Sequence, residues 1–334
     1  MNTLAMAPKT TLLLVAAVLS TILLATTPAA IATPVVLHHA EHEQTATTAD
    51  RPFDRVIAFG DSLTDTSNVW ELSQHTWPLP PPLYDNGRFS NGPMWIEYFT
   101  RAVVSESASV LRNYAYGSAT TDNALVPGYT GLKGELLVPD LNDQLRTFKQ
   151  ELEQGALAVQ GRTLYIVWFG GNDIIFSKTQ VPLNTVVSNL IRAVQTIDAL
   201  HTAVTGTPAP RILVFGMRNL GEAPFLAPYP AAVHEAFQTA SENFNAILSK
   251  RVQEYDAGQG RVTFVPTAQI MPAILASPAT YGFPSGTQGT SCLSAEFEMC
   301  KDPEMHVYWD TFHPATGTHR AIAQEAAKAV GVEM

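Results

Sequence analysis

The stretch RVIAFGDSLTDTSN, residues 55–68, decides the fold. Val56, Ile57, Ala58 and Phe59 form an unbroken apolar run, the composition of a strand buried on both faces and hence of a parallel sheet. The run ends at Gly60, and a Gly-Asp-Ser turn leads into LTDTSNVWEL, a segment of helical character. Ser62 is therefore expected where the carboxyl end of a parallel strand meets a helix N-terminus, which is where open α/β sheets bind ligands. A plainer reading also fits, because Asp61, Ser62 and Asp65 are all good helix caps. The rest of the chain has to separate the two.

Further apolar runs follow: the weaker VLRNYAY (110–116), then TLYIVWFG (163–170), RILVFG (211–216) and RVTFVP (261–266). Between them lie helical stripes. Leu141, Leu145, Phe148 and Leu152 share one face, with Gly155 as a stop signal. Residues from Val186 to Leu200 and from Val233 to Val252 make two more. Such alternation of strand and helix implies a parallel sheet with right-handed crossovers and helices on both faces. No repeat and no linker interrupts the chain after residue 53, so residues 53–334 are expected to form one domain. The Pro-rich WPLPPPLYDNGRF (77–89) reads as a stiff loop near the end of the first strand, with Trp77 and Tyr84 as candidate pocket-rim or surface-packing residues.

The ends and the composition narrow the class. Residues 1–32 carry Lys9, then TLLLVAAVLSTILLA, then TPAAIA with a small-residue Ala-Ile-Ala site. That is the pattern of a secretory signal peptide, with an apolar part shorter than the roughly 20 residues of a membrane-spanning helix. Residues 33–52 are polar and aperiodic and read as a flexible leader; its His38, His39 and His42 read as solvated linker rather than a metal site. Removing residues 1–32 leaves 19 basic against 30 acidic side chains. So acidic a protein is a poor partner for nucleic acid or anionic membranes. A secreted, extracellular protein meets an oxidising environment, so Cys292 and Cys300, the only two cysteines, are expected to pair. No Asn-x-Ser/Thr sequon occurs.

Three stretches stand where a reaction site needs them: NYAYGSAT (113–120), FGGND (169–173) and YWDTFHP (308–314). A serine hydroxyl is a weak nucleophile until a base takes its proton, and an imidazole does so when a carboxylate fixes its tautomer. Asp310-x-x-His313 can supply both from one turn of backbone. The oxyanion of a tetrahedral intermediate then needs donors. The Ser62 amide, the Gly117 amide and the Asn172 side chain are candidates. Against these stand plainer roles: a helix start for His313, a turn for Gly117, a cap for Asn172. His306 and His319 flank the same region without a carboxylate in comparable register. A Gly-x-Ser-x-Gly elbow, a phosphate loop and a His-Glu-x-x-His metal motif are all lacking.

With FGDSLTDTSN, NYAYGSATTDN, VWFGGNDI and YWDTFHP in this order, the chain resembles the GDSL, or SGNH, hydrolase family. The resemblance implies a single three-layer α/β/α sandwich around a flavodoxin-like, five-stranded parallel sheet. It implies Ser62 as nucleophile, His313 as base, Asp310 as its partner, and Ser62, Gly117 and Asn172 as oxyanion donors, with no metal or cofactor. GRFSNGPMWIEYF (87–99) and the Cys-flanked approach to HVYWDTFHP look like the secreted fungal and plant branch, which includes the acetylesterases of carbohydrate esterase family sixteen. That branch points to short acyl groups, acetyl above all, on oligosaccharide or other small-molecule esters. The same chemistry serves lipases, phospholipases and acyltransferases, and a secreted binding protein could keep the fold without turnover. One departure is Ser67, where the first block often carries glycine; it bears on loop shape more than on catalysis.

Overall fold

The structure, a computed structural model, describes residues 51–104 and 111–334. The expected signal peptide (1–32) and all but the last two residues of the expected leader (33–52) lie outside the described residues. Among those described, no helix is long and apolar enough to cross a membrane.

Five strands build the central sheet: β1 (Arg55–Gly60), β2 (Leu111–Asn113), β3 (Thr163–Trp168), β4 (Arg211–Phe215) and β5 (Val262–Val265). Each falls within an apolar run picked out above. All neighbours pair in parallel, in the order β2-β1-β3-β4-β5. This is the flavodoxin-like order, whose switch point lies between β1 and β3, where the chain turns from building one side of the sheet to building the other.

Eight α-helices among the described residues complete the layers: α1 (Asn68–Leu72), α2 (Trp95–Val103), α3 (Leu141–Glu153), α4 (Gly171–Phe176), α5 (Leu183–Thr205), α6 (Ala231–Asp256), α7 (Ile270–Ala276) and α8 (Thr316–Lys328). Alternation along the strands assigns the faces. Ile57, Phe59, Ile212 and Val214 pack with the apolar stripes of α3, α5 and α6. Val56, Ala58, Leu213 and Phe215 pack with α2, α7 and α8. Both faces are covered, which is why these strands read as continuous apolar runs.

The segment after β1 departs from expectation. Residues 61–65 form a turn, with the Thr64 and Asp65 amides donating to the Asp61 carbonyl at 3.0 and 2.9 Å, and the helix begins only at Asn68. The cause is Asp65, whose carboxylate accepts the amides of Ser67, Asn68 and Val69. It caps the helix six residues beyond Ser62 and leaves the serine on the turn.

The end of β1 is held from the α3 side. Buried Gln144 accepts the Gly60 N–H at 3.1 Å and donates to the Gly60 carbonyl at 2.9 Å, completing the backbone two residues before Ser62. Gln144→Leu keeps the side chain's size roughly but strands the Gly60 N–H, while the Gly60 carbonyl keeps the Tyr116 amide at 3.2 Å. One stranded buried backbone group costs about 1–3 kcal/mol, so a loss of about that size in urea unfolding is expected; a loss below about 0.5 kcal/mol would mean that water satisfies the Gly60 N–H.

Candidate active site

The carboxyl ends of β1, β2 and β3 and the loop before α8 converge on one cavity of about 240 Å³. Ser62 lies on the turn after β1, with its Oγ 2.9 Å from His313 Nε2. The other ring nitrogen, Nδ1, is 2.7 Å from Asp310 Oδ2. Asp310 Oδ1 accepts the amides of Phe312 and His313, both at 2.7 Å, an Asx-type turn that presents both side chains from one short loop. Burial works to raise the Asp310 pKa, but the His313 charge and the hydrogen bonds from His313, Tyr84 and Phe312 outweigh it and hold the carboxyl below its ordinary value.

Tyr84 does not rim the cavity. It is buried, and its hydroxyl donates to Asp310 Oδ2 at 2.7 Å. The Pro-rich loop is clamped there a second time by Trp309 Nε1, which donates to the Leu83 carbonyl at 2.8 Å. Cys292 and Cys300 form a disulfide, and they cluster with Tyr84, Leu293 and Trp309 beneath the Asp310 loop. Trp77 does line the cavity.

The donor groups divide differently from expectation. The Gly117 amide is committed: it donates to Asp65 Oδ2 at 2.9 Å. Its lack of a side chain answers a packing need instead, because a Cβ there would lie 2.3 Å from the Phe89 ring, and that ring packs on the His313 imidazole with centroids 5.1 Å apart. The next residue, Ser118, lines the cavity, adopts a left-handed φ of 71°, and has an amide that donates to no acceptor among the described residues. The Ser62 amide is likewise uncommitted. Asn172, in the first turn of α4, spends one N–H on the Ala119 carbonyl at 2.9 Å and keeps a second. Residue type alone hid Ser118, since a serine at positive φ carries no sequence mark and the adjacent glycine draws attention.

The other histidines stay apart. His319 is fully buried, does not line the cavity, and burial followed by the His313 and Arg218 charges pushes it down to about 3, so it is neutral. His306 Nδ1 contacts Thr290.

Two further buried carboxyls adjoin the site. Asp173 accepts the Thr121 amide and hydroxyl, tying α4 to the segment after β2. Asp61, beside the nucleophile position, accepts the Leu63 amide at 3.0 Å, and burial pushes its carboxyl up to about 7.

The cavity walls are mainly apolar, Ile175, Met217 and Leu220 among them. Tyr129, Phe176 and Phe312, which are 49%, 40% and 39% exposed, stand at its rim.

Residues 56–326 match a family model described as GDSL-like lipase/acylhydrolase. Among curated proteins, the chain is 24% identical over 287 residues to the thermolabile hemolysin of Vibrio parahaemolyticus, a match covering 81% of this chain and 62% of that one. The chain thus spans about three-fifths of the hemolysin's length. It is 24% identical over 318 residues to the phosphatidylcholine-sterol acyltransferase of Aeromonas hydrophila, covering 82% and 89%. Over 163 residues it is 28% identical to an acetylesterase of Hypocrea jecorina, covering 45% of each chain.

Asp61 makes a pH-dependent contribution to stability. Its folded pKa lies above the unfolded value, so its contribution is fully present below about pH 4 and is lost as pH rises through about 7. Asp61→Asn is neutral throughout, so its melting temperature should gain on wild type between pH 5 and pH 8, by on the order of 5 °C. A gap that stays constant across that range would show that Asp61 does not titrate there.

Proposed function

The chain belongs to the GDSL-like lipase/acylhydrolase family, and from that premise we propose that it is a serine carboxylester hydrolase working through an acyl-enzyme on Ser62. The observation that carries the reading is the continuous hydrogen-bonded chain from Ser62 Oγ through His313 to Asp310, opening into an apolar cavity with uncommitted donors beside it.

In this mechanism Ser62 Oγ attacks the ester carbonyl carbon as its proton passes to His313 Nε2. Asp310 holds the tautomer and balances the imidazolium that forms. The carbonyl oxygen becomes an oxyanion, met by the Ser62 and Ser118 amides and the second Asn172 N–H. The Gly117 amide, committed to Asp65, takes no part. Collapse breaks the bond to the alcohol, which leaves with the proton from His313. A water then gives its proton to His313 and attacks the acyl carbon, releasing the acid and restoring Ser62.

On the acyl side, mainly apolar walls and a volume of about 240 Å³ favour short groups, acetyl included. The likeness to an acetylesterase supports a sugar or other small alcohol, for which the rim aromatics offer flat faces. A second reading, esters of longer acyl chains or transfer of the acyl group to an alcohol, is favoured by the exposed Tyr129, Phe176 and Phe312 and by the hemolysin and acyltransferase relatives. Secretion and the use of soluble extracellular substrates belong to the same proposal and rest on the sequence pattern of residues 1–32.

Ser62→Ala should lower kcat by on the order of 10⁶ with the fold intact; activity within tenfold of wild type would end the serine mechanism. Asn172→Ala should lower kcat by about 10²–10³ while KM changes by less than about threefold, because the charge it meets exists only in the transition state. Asn172→Asp should be at least as damaging, and an active Asn172→Asp enzyme would remove this residue from the mechanism. Across p-nitrophenyl esters from acetate to palmitate, kcat/KM should peak among the short chains. A steady rise through octanoate would favour the lipid reading.

A further inference from the structure

Building on the Ser62–His313–Asp310 reading, we propose that Tyr84 is a positioning residue that sets the pH range of the reaction, because its hydroxyl donates to the same Asp310 oxygen that accepts the His313 Nδ1–H. Both contacts are 2.7 Å long. Asp310 Oδ1 is already filled by two amides, so the phenol and the imidazole share Oδ2. Tyr84 is 4% exposed, and burial followed by the Asp310 charge raises its pKa well above the ordinary value, so it remains a donor. It cannot swing away easily: the ring is packed among Trp309, Leu293 and the disulfide, and its neighbour Leu83 accepts from the Trp309 indole.

A donor to a carboxylate disperses its charge and weakens its hold on a neighbouring cation. With Tyr84 in place, Asp310 orients the imidazole yet attracts a proton onto it less strongly than a carboxylate with a lone imidazole partner. The base therefore stays free to lower pH. Removing the phenol strengthens the hold of Asp310 on the Nδ1 side of the imidazole, so the acidic limb moves to higher pH. The other ionisable groups around His313 are Asp61 on the turn after β1, Arg218 after β4 and His319 on α8. None of them contacts the Tyr84 hydroxyl, so a change in pH profile on altering that hydroxyl reports on the shared oxygen.

The test is kcat/KM against pH on a short p-nitrophenyl ester, whose acidic limb reports the base in the free enzyme. Tyr84→Phe keeps the ring and its packing. Its acidic limb should move to higher pH by about half a unit or more, and kcat on the plateau should fall severalfold, because Asp310 Oδ2 loses one of the two donors that hold it. In an Asp310→Asn background the same change should do nothing further, since the two act through one bond. Placing 3-fluorotyrosine at position 84 keeps the shape and strengthens the donor, so the limb should move the other way; this variant also decides the matter if Tyr84→Phe does not fold. An unmoved limb in either variant, or losses that simply add in the double variant, overturns the proposal. Fluorophosphonate labelling of wild type separates the two levels. An unlabelled Ser62 removes the triad reading and this inference with it, whereas a labelled Ser62 with an unmoved limb removes the inference alone.

Discussion

A single buried carboxylate, Asp65, joins the first two loops of the site. Three of its hydrogen bonds start α1 and the fourth takes the Gly117 amide, 52 residues away in sequence. Leaving any of those amides without a partner in this interior would cost on the order of 1–3 kcal/mol. The turn after β1 and the turn after β2 are therefore fixed to each other through one side chain and the Gly117 amide. Once Gly117 is turned toward Asp65, the chain must reverse at Ser118, which takes the left-handed φ and presents an uncommitted amide beside Ser62. Gly128 allows this reversal, since a Cβ there would lie 2.4 Å from the Ser118 carbonyl oxygen.

The same device recurs at the other two loops. Asp173 fastens the turn after β3 to Thr121, and Asn172 beside it reaches the Ala119 carbonyl. Asp310 folds its own loop by accepting two amides and presents His313. A sheet fixes the strand ends to within a register step, but loops need their own anchors to hold donors at the tolerance that transition-state stabilisation demands. Carboxylates do this economically because one side chain accepts several N–H groups from different segments.

How much of this was legible depended on whether a residue's role follows from its own neighbourhood. The five strands and the helices α3, α5 and α6 follow from period and composition, and the sheet order follows the resemblance. Ser62, Asn172, Asp310 and His313 lie at strand ends or in one short loop, so local sequence puts them at the right edge. Gly117 and Ser118 could not be told apart, because which amide is free depends on a carboxylate 52 residues upstream. The helix expected immediately after Ser62 starts at Asn68 for a different, local reason: Asp61, Ser62 and Asp65 are all good caps by type, and it is Asp65 that takes the amides of residues 67–69. Tyr84 stands in a Pro-rich loop with no periodicity, and its partner is 226 residues away. No local rule reaches across that distance.

The four acidic side chains of the site also separate by what faces them. Burial pushes Asp61 up to about 7 and Asp65 and Asp173 up to about 6, against the pull of their neutral N–H partners. Asp310 is just as enclosed yet lies below its ordinary value, because an imidazole that can carry charge and a phenol donor face it. An acid whose folded pKa is raised stabilises the fold at low pH and withdraws that support as pH rises. At neutral pH the burial of these three charges therefore counts against the fold, while the N–H groups they accept count for it. A neutral replacement removes the cost of burying the charge but brings N–H groups where acceptors are needed, so at Asp65 and Asp173 what is recovered in desolvation is set against stranded amides. Only Asp310 escapes the conflict, since the partner that compensates its burial is also the group it has to orient.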